Sequence, residues 1–250
     1  MGAVSTEAGN STRGAEAVAE NDYDSFAEAY AAENETSLIN AYYAQPAILD
    51  LAGDVAGRRI LDAGCGSGTV SAGLRDRGAV VAGFDRSAKM VELARRRLGD
   101  DADLRVADLT GPLPYPDAAF DDAIAALVLH YLQDWAAPLA ELRRVLKPGG
   151  RLIVAVNHPI ILKLVDREAD YFAISKWSQE YTFHGQKAVL TYWHRPLHAM
   201  TDAFTAAGFR TAVISEPPPA PQARELFPDE LARFPSGSFL SFLFFVLEAV

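Results

Sequence analysis

Residues 60–69 read ILDAGCGSGT. A short apolar run ends in an acid, Asp62, and three glycines, Gly64, Gly66 and Gly68, then alternate with small residues. In a strand–loop–helix unit, backbone this bare lets the chain approach a ligand closely, and the start of the helix offers free amide groups. The dinucleotide fingerprint spaces its glycines G-x-G-x-x-G. Here the spacing is G-x-G-x-G, and Thr69 stands where the third glycine would sit. An acid two residues before the first glycine is awkward beside a pyrophosphate. It suits a ligand that carries a cation.

Strands and helices alternate outward from this loop. RRILDA (58–63) reads as a strand, and TVSAGLRDR (69–77) as a helix closed by Gly78. AVVAGFD (79–85) is a strand, and SAKMVELARRRL (87–98) a helix with Ser87 as N-cap. DLRVADL (103–109) is a strand edge, DDAIAALVLHYL (121–132) a strand running into a loop, and WAAPLAELRRVL (135–146) a helix. KPGG (147–150) is a turn and RLIVAVN (151–157) a strand. Five strands interleaved with helices predict a parallel sheet.

Ahead of this core, Tyr23, Phe26, Ala27, Tyr30 and Ala31 share one helical face, and a second helix runs from about Asn40 to Leu51 and stops at Gly53. Behind it, 198–209 is an amphipathic helix ending at Gly208. TAVISE (211–216) and SFLSFLFFVLEA (238–249) are two more strands, joined by a proline-rich connection.

Composition narrows the function classes. The 250 residues carry a formal charge of −10, which repels phosphate backbones and anionic lipid, so neither a nucleic acid nor a membrane is expected as partner. The single cysteine, Cys65, rules out an internal disulfide and suits a cytoplasmic protein. It reads as a small side chain inside the loop rather than a reactive thiol. The first twenty residues are small and polar, lack the apolar core of a signal peptide, and are expected to be a disordered tail. The myristoylation-like start at Gly2 and the glycosylation-like triplets at Asn10 and Asn34 are taken as chance. The apolar run from Phe239 is too short to span a bilayer.

Two further motifs follow the glycine loop at fixed intervals. The next strand ends in GFDRS, placing Asp85, with Arg86 beside it, where a carboxylate accepts hydrogen bonds from ribose hydroxyls. The third strand leads into ADLTGPLP, placing Asp108 at the same sheet edge. With DAGCGSG, FDRSAKM, ADLTGPLP, LVLHYLQDW and LKPGG in order, residues 58–156 resemble the core of a class I S-adenosylmethionine-dependent methyltransferase of the small-molecule, type 11-like kind. The resemblance implies a Rossmann-like, seven-stranded, mostly parallel sheet with the last strand antiparallel and helices on both faces. It implies S-adenosyl-L-methionine as cofactor, leaving S-adenosyl-L-homocysteine as product. Gly64, Gly66 and Gly68 would line its methionine portion, with Asp62 near the ammonium. Asp85 would hold the ribose, Met90 would pack near the adenosine, Asp108 and Leu109 would bracket the adenine, and Leu127 would pass beneath the sulfonium. Tyr30 resembles a family tyrosine that closes over the cofactor. The ligand of the cofactor's carboxylate is open, with Arg13 as one guess.

Rival readings are a nicotinamide-dependent oxidoreductase, against which the glycine spacing and the lack of a Tyr-x-x-x-Lys pair both count, and a cofactor-binding protein without catalysis, since the fold alone confers no activity.

The expected organisation is a tail over 1–20 and one domain over 21–250. That domain comprises cap helices (21–56), the cofactor-binding core (58–156), a substrate lid inserted after the fifth strand (157–197), and a C-terminal helix and strands (198–250). The stretch 170–194 is dense in aromatics, among them Trp177 and Tyr192. They either wall a pocket for a small, flat, apolar molecule, or make the satellite core of an antiparallel hairpin or a dimer interface. Tyr23, His130, Trp177 and Tyr192 are the candidate substrate contacts. His158 and His194 are the candidate general bases, required only if the methyl acceptor must lose a proton. The fourth strand ends without the Asn/Asp-Pro-Pro-aromatic motif of amino-methylating DNA enzymes and without the acids of metal-dependent catechol-type enzymes, so no metal is expected. The expected activity is methyl transfer to a phenol- or indole-type metabolite of secondary metabolism. A quinone precursor or a carboxylate is the alternative acceptor. The expected assembly is a monomer or homodimer.

Overall fold

Alternating side chains along each central strand cover both faces of one sheet. The computed structural model describes residues 21–234, 236 and 238–250, so the predicted tail with Gly2, Asn10 and Arg13 lies outside the described residues. Strands β1 (Arg59–Ala63), β2 (Val80–Asp85), β3 (Asp103–Val106), β4 (Phe120–Ala126), β5 (Leu146–Asn157), β8 (Phe209–Ser215) and β9 (Phe242–Ala249) form a seven-stranded sheet in the order β3-β2-β1-β4-β5-β9-β8. β1 to β5 pair in parallel, and β9 runs antiparallel to both β5 and β8. This is the seven-stranded sheet with an antiparallel last strand that the sequence implies.

The period of two is visible in the packing. Leu152, Val154, Leu243 and Phe245 point to one face, with Leu139 and Leu142 of α5 (Ala136–Val145) and Phe204 of α7 (Leu197–Ala206). Ile153, Ala155, Phe244 and Val246 point to the other, with Ile48 of α2 (Gln45–Ala52) and Leu74 of α3 (Thr69–Asp76). Each of the valine, leucine, isoleucine and phenylalanine side chains, fully buried, contributes about 1.5–3 kcal/mol. At the amino-terminal end of β4, buried Asp122 accepts hydrogen bonds from Arg58 and Arg151.

Several boundaries differ from the sequence expectation: β3 ends at Val106 rather than Leu109, and β8 spans Phe209–Ser215 rather than 211–216. Lys147–Gly150, expected as a turn, lies within β5 as a bulge, where pairing slips between Phe120↔Leu146 and Asp122↔Arg151. β9 opens at Phe242 rather than Ser238. The second predicted helix starts as a π-helical turn, Asn40–Ala44, before α2. Ser87 caps α4 (Ala88–Leu98) as expected, its hydroxyl accepting from the Met90 amide.

Beyond β5, α6 (Ile160–Val165) leads to a separate hairpin of β6 (Ser175–Phe183) and β7 (Gln186–His194). Its two-residue turn, His184–Gly185, has positive φ at both positions (45° and 83°), as a tight right-twisting hairpin requires. The amino-terminal segment, a 3-10 turn at Tyr23–Ser25 followed by α1 (Ala27–Asn34), packs against it. Phe26 stacks on Phe183 at 5.7 Å, and the Asn21 side chain pairs with both backbone groups of Thr191 as a strand neighbour would.

Candidate active site

The carboxyl ends of β1 to β4 open into one cleft, roofed by the amino-terminal segment. Parallel sheets bind ligands at this edge, because the loops diverge there and helix starts point inward.

Asp62, on β1, is 1 % exposed. Ser71 donates to its Oδ2 at 2.6 Å, while its Oδ1 is buried and has no partner. Burial raises its pKa to about 6, against the Ser71 bond. A buried carboxylate oxygen with an unused lone pair, facing a cleft, fits a cationic ligand group such as an ammonium. Gly64 and Gly66 carry the chain past it at φ of +74° and +53°. A Cβ on Gly64 would stand 2.8 Å from Val128 Cγ2, so a side chain there would have to displace Val128.

Gly68 does something else. It does not line the cleft. Its φ is +80° and a Cβ would press on Ala94 and Leu98 of α4 at 3.2–3.3 Å. It lets α3 begin against α4, so its expected contact with the methionine portion is corrected to a packing role.

Asp85 ends β2 with both oxygens engaged by the fold, Oδ2 by the Gly66 amide and Oδ1 by the Ser87 amide, each at 2.9 Å. It still lines the cleft, and each oxygen keeps a lone pair for a ribose hydroxyl. Burial raises its pKa too. Arg86, Met90, Asp108 and Leu109 continue this wall. Leu127 crosses the cleft floor at φ +55°, a conformation costly for a branched side chain and held here by its amide bond to Ala155 O. The roof is Tyr23 and Tyr30, and Tyr131 closes the side.

The histidines are placed elsewhere. His158 Nε2 bonds Glu216 Oε1 at 2.7 Å, and His194 Nε2 bonds Tyr171 O at 2.8 Å. Both line a separate, smaller cavity behind the hairpin, with His130 and Trp177. His130 is 4 % exposed, its Nδ1 accepts the Asn157 amide, and burial lowers its pKa to about 3, so it is neutral. None of the three lines the main cleft. Trp177 and Tyr192 likewise lie behind the roof, and Tyr192 stacks on Tyr131 at 5.4 Å. Of the two readings of this aromatic stretch, the rings mostly form the satellite core of the hairpin.

Sequence reasoning missed Tyr131 and Asn34. Tyr131 follows the fourth motif directly, and its position beside His130 was the available signal. Asn34 lines the cleft with a buried, unpartnered Oδ1. Among the described residues, no cluster of three metal-ligating side chains is present, and no helix is long and apolar enough to cross a membrane.

Residues 61–154 match the methyltransferase domain family. This core is a class I S-adenosylmethionine-dependent methyltransferase domain. The methyltransferase core is 42 % identical over 120 residues to a demethylmenaquinone methyltransferase of Clavibacter sepedonicus, covering 47 % of this chain and 49 % of that one. It is 40 % identical over 97 residues to a malonyl-[acyl-carrier protein] O-methyltransferase of Serratia marcescens, covering 39 % and 37 %. The chain thus spans half or less of the length of these curated relatives. The fold as a whole resembles an S-adenosylmethionine-dependent methyltransferase of Mesorhizobium loti, with a TM-score of 0.63, 25 % identity, and coverage of 81 % of this chain and 96 % of that one. The Asp62 carboxylate, the bare Gly64–Gly66 backbone and Asp85 fit the ammonium, methionine and ribose of that cofactor.

Proposed function

We propose that this protein transfers a methyl group from S-adenosylmethionine to a neutral, hydroxyl-bearing aromatic small molecule. When bound, the cofactor supplies an electrophilic methyl on a sulfonium. Asp62 faces its ammonium, Asp85 accepts from its ribose hydroxyls, and Asp108 with Leu109 brackets the adenine. Leu127 and Val128 exclude water from the methyl side, which matters because the displacement depends on alignment in a dry pocket.

One observation carries the acceptor class. Outside the cofactor residues the cleft is lined by Tyr23, Tyr131, Val128 and Leu132 together with the amides of Asn21, Asn34, Asn40 and Gln45, and Arg86, at the ribose end, is the only cationic side chain among the described lining residues. A carboxylate acceptor would enter a cleft whose one cation lies at the ribose end and which holds three acids, Asp62, Asp85 and Asp108. A hydroxylated ring meets apolar walls, phenol hydroxyls and neutral amides. The relatives named for demethylmenaquinone favour the quinone-precursor reading, which also presents an oxygenated ring. The malonyl-thioester relative would suggest a carboxylate, and the lining counts against it.

The test is a thermal melt with S-adenosylhomocysteine, NADH and NADPH, repeated on Asp85→Ala. At a hundredfold its dissociation constant a ligand stabilises by about 2.7 kcal/mol, which is roughly 5–10 °C for a domain of this size. A shift with S-adenosylhomocysteine alone, weakened in Asp85→Ala, is expected. A shift with a nicotinamide nucleotide instead overturns the cofactor reading. Labelled-methyl transfer to paired phenols and benzoates then tests the acceptor class, with phenols the expected substrates.

A further inference from the structure

The smaller cavity behind the hairpin differs in character from the cleft fitted to the cofactor. Arg195, His130, His158, His194 and Asn157 line it with the ring of Trp135, and no acid is among its described lining residues. In a chain of formal charge −10, a wall with a guanidinium and three imidazoles but no carboxylate is unusual. Two of these side chains hold unused donors. His130 is 4 % exposed, and its Nδ1 accepts from the Asn157 amide. The neutral ring therefore carries its hydrogen on Nε2, which is buried and has no partner. Arg195 is 9 % exposed. It lies over the Trp135 ring at 4.6 Å and donates through Nη2 to Gln133 O at 2.6 Å, but its buried Nε has no partner. Among the described residues no carboxylate forms an ion pair with it. Asp134, whose charge acts on it, is exposed and accepts from the Ala136 amide at 2.9 Å. His158 and His194 are different, because their Nε2 atoms are engaged by Glu216 and by Tyr171 O.

We propose that this cavity binds one monatomic anion, a halide such as chloride, through the Nε2 of His130 and the Nε of Arg195. Size selects a single atom, because the cavity has room for one water-sized group and not for a phosphate or a carboxylate-bearing metabolite. Chemistry selects an anion over a water. A water must place its own two hydrogens on acceptors, whereas an anion only accepts, and what the two nitrogens offer is donors. A buried guanidinium without a counter-charge is costly, and an anion beside it offsets that cost. Burial pulls the Arg195 pKa down, in keeping with a cation that has no carboxylate beside it. The site stands apart from the methyl-transfer reading but adjoins its cleft. His130 meets Tyr131 edge-on at 4.6 Å, and Tyr131 lines that cleft, so a bound anion braces its wall from behind.

The experiment compares thermal melts in sodium gluconate, acetate, chloride and bromide at one fixed ionic strength. An anion at about tenfold its dissociation constant raises Tm by roughly 3–5 °C in a domain of this size. Chloride and bromide are expected to give that rise over gluconate, and acetate, too large for the space, to give none. Arg195→Met keeps a long side chain over Trp135 and removes both the charge and the Nε donor. His130→Asn keeps an acceptor for the Asn157 amide and removes the Nε2 donor. Each is expected to abolish the halide rise while still melting cooperatively in gluconate. If Arg195→Met does not fold, His130→Asn carries the test. In crystals soaked in bromide, the anomalous signal is expected within hydrogen-bonding reach of both nitrogens. A melt indifferent to the anion overturns the proposal, as does a halide rise that persists in the folded variants or is matched by acetate. A water without anomalous signal at that position overturns it equally.

Discussion

Asp62 sets the pH dependence of the cofactor site. Its folded pKa, about 6, lies above its ordinary value because of burial. Between roughly pH 4 and 6 the folded protein therefore holds a proton that the unfolded chain does not, and apo stability falls as pH rises across that window. Pairing with an ammonium needs the ionised form, so affinity for S-adenosylhomocysteine should fall by up to about tenfold per pH unit below 6 and level off above it. Calorimetry on wild type and Asp62→Asn checks this, the variant being expected to bind weakly at neutral pH with a reduced slope. Asp85, also raised by burial, supplies what slope remains. At Gly64 the positive φ and the closeness of Val128 act together. Gly64→Ala should cost about 2 kcal/mol, a fall in Tm of roughly 4–8 °C. Asp62, Gly64 and Asp85 are legible in sequence because strand, turn and helix cap are consecutive in the chain. Gly68 is legible as a glycine but not as a packing contact, since Ala94 and Leu98 belong to the next helix. The histidines are not legible, because an imidazole's role depends on where a separately folded hairpin delivers it.

The amino-terminal segment roofs the cleft, and the hairpin backs it. Asp24 accepts from the Ser87 hydroxyl and, at 3.1 Å, from the Lys89 amide, tying the 3-10 turn to the start of α4. Glu28 pairs with Arg96 at 2.8 Å, and Gln186 donates to Ser25 O. Tyr23 and Tyr30 of this roof line the cleft with the cofactor residues, so loosening its anchors should ease ligand release. Asp24→Ala should speed S-adenosylhomocysteine release by about threefold to fivefold with a smaller change in Tm, read by stopped-flow displacement. The aromatic richness of 171–193 is plain in the sequence, but the register Trp177↔Tyr192 and Phe183↔Gln186 sends most of those rings to Phe26 and Tyr30 rather than into the cleft. A pattern of residue types does not carry that register. The two-residue turn and the partner helix fix it.

At the scale of the molecule, the chemistry occupies one end of the sheet and the strongest ionic anchor the other. Burial alone would raise the Asp122 pKa, yet hydrogen bonds from Arg151 and Arg58 hold it below the usual carboxylate range. Its contribution is present above about pH 4 and disappears as pH falls through the lower folded value. Asp122→Ala strands two partly buried guanidinium groups and should cost about 3 kcal/mol in urea denaturation at neutral pH, with cofactor affinity unchanged. The sheet order is readable from alternating strands and helices, whereas the bulge at Lys147–Gly150 is not, because it answers to Phe120 and Asp122 across the ladder. β9 lies between β5 and β8 although it follows both in the chain. During synthesis, then, β5 waits with a bare, strongly apolar edge, and β8 has no place in the sheet until Phe242–Ala249 emerges from the ribosome. A chain stalled before that point presents the kind of open strand that recruits other chains. The half of the protein that never touches the cofactor thereby governs the yield of the half that does.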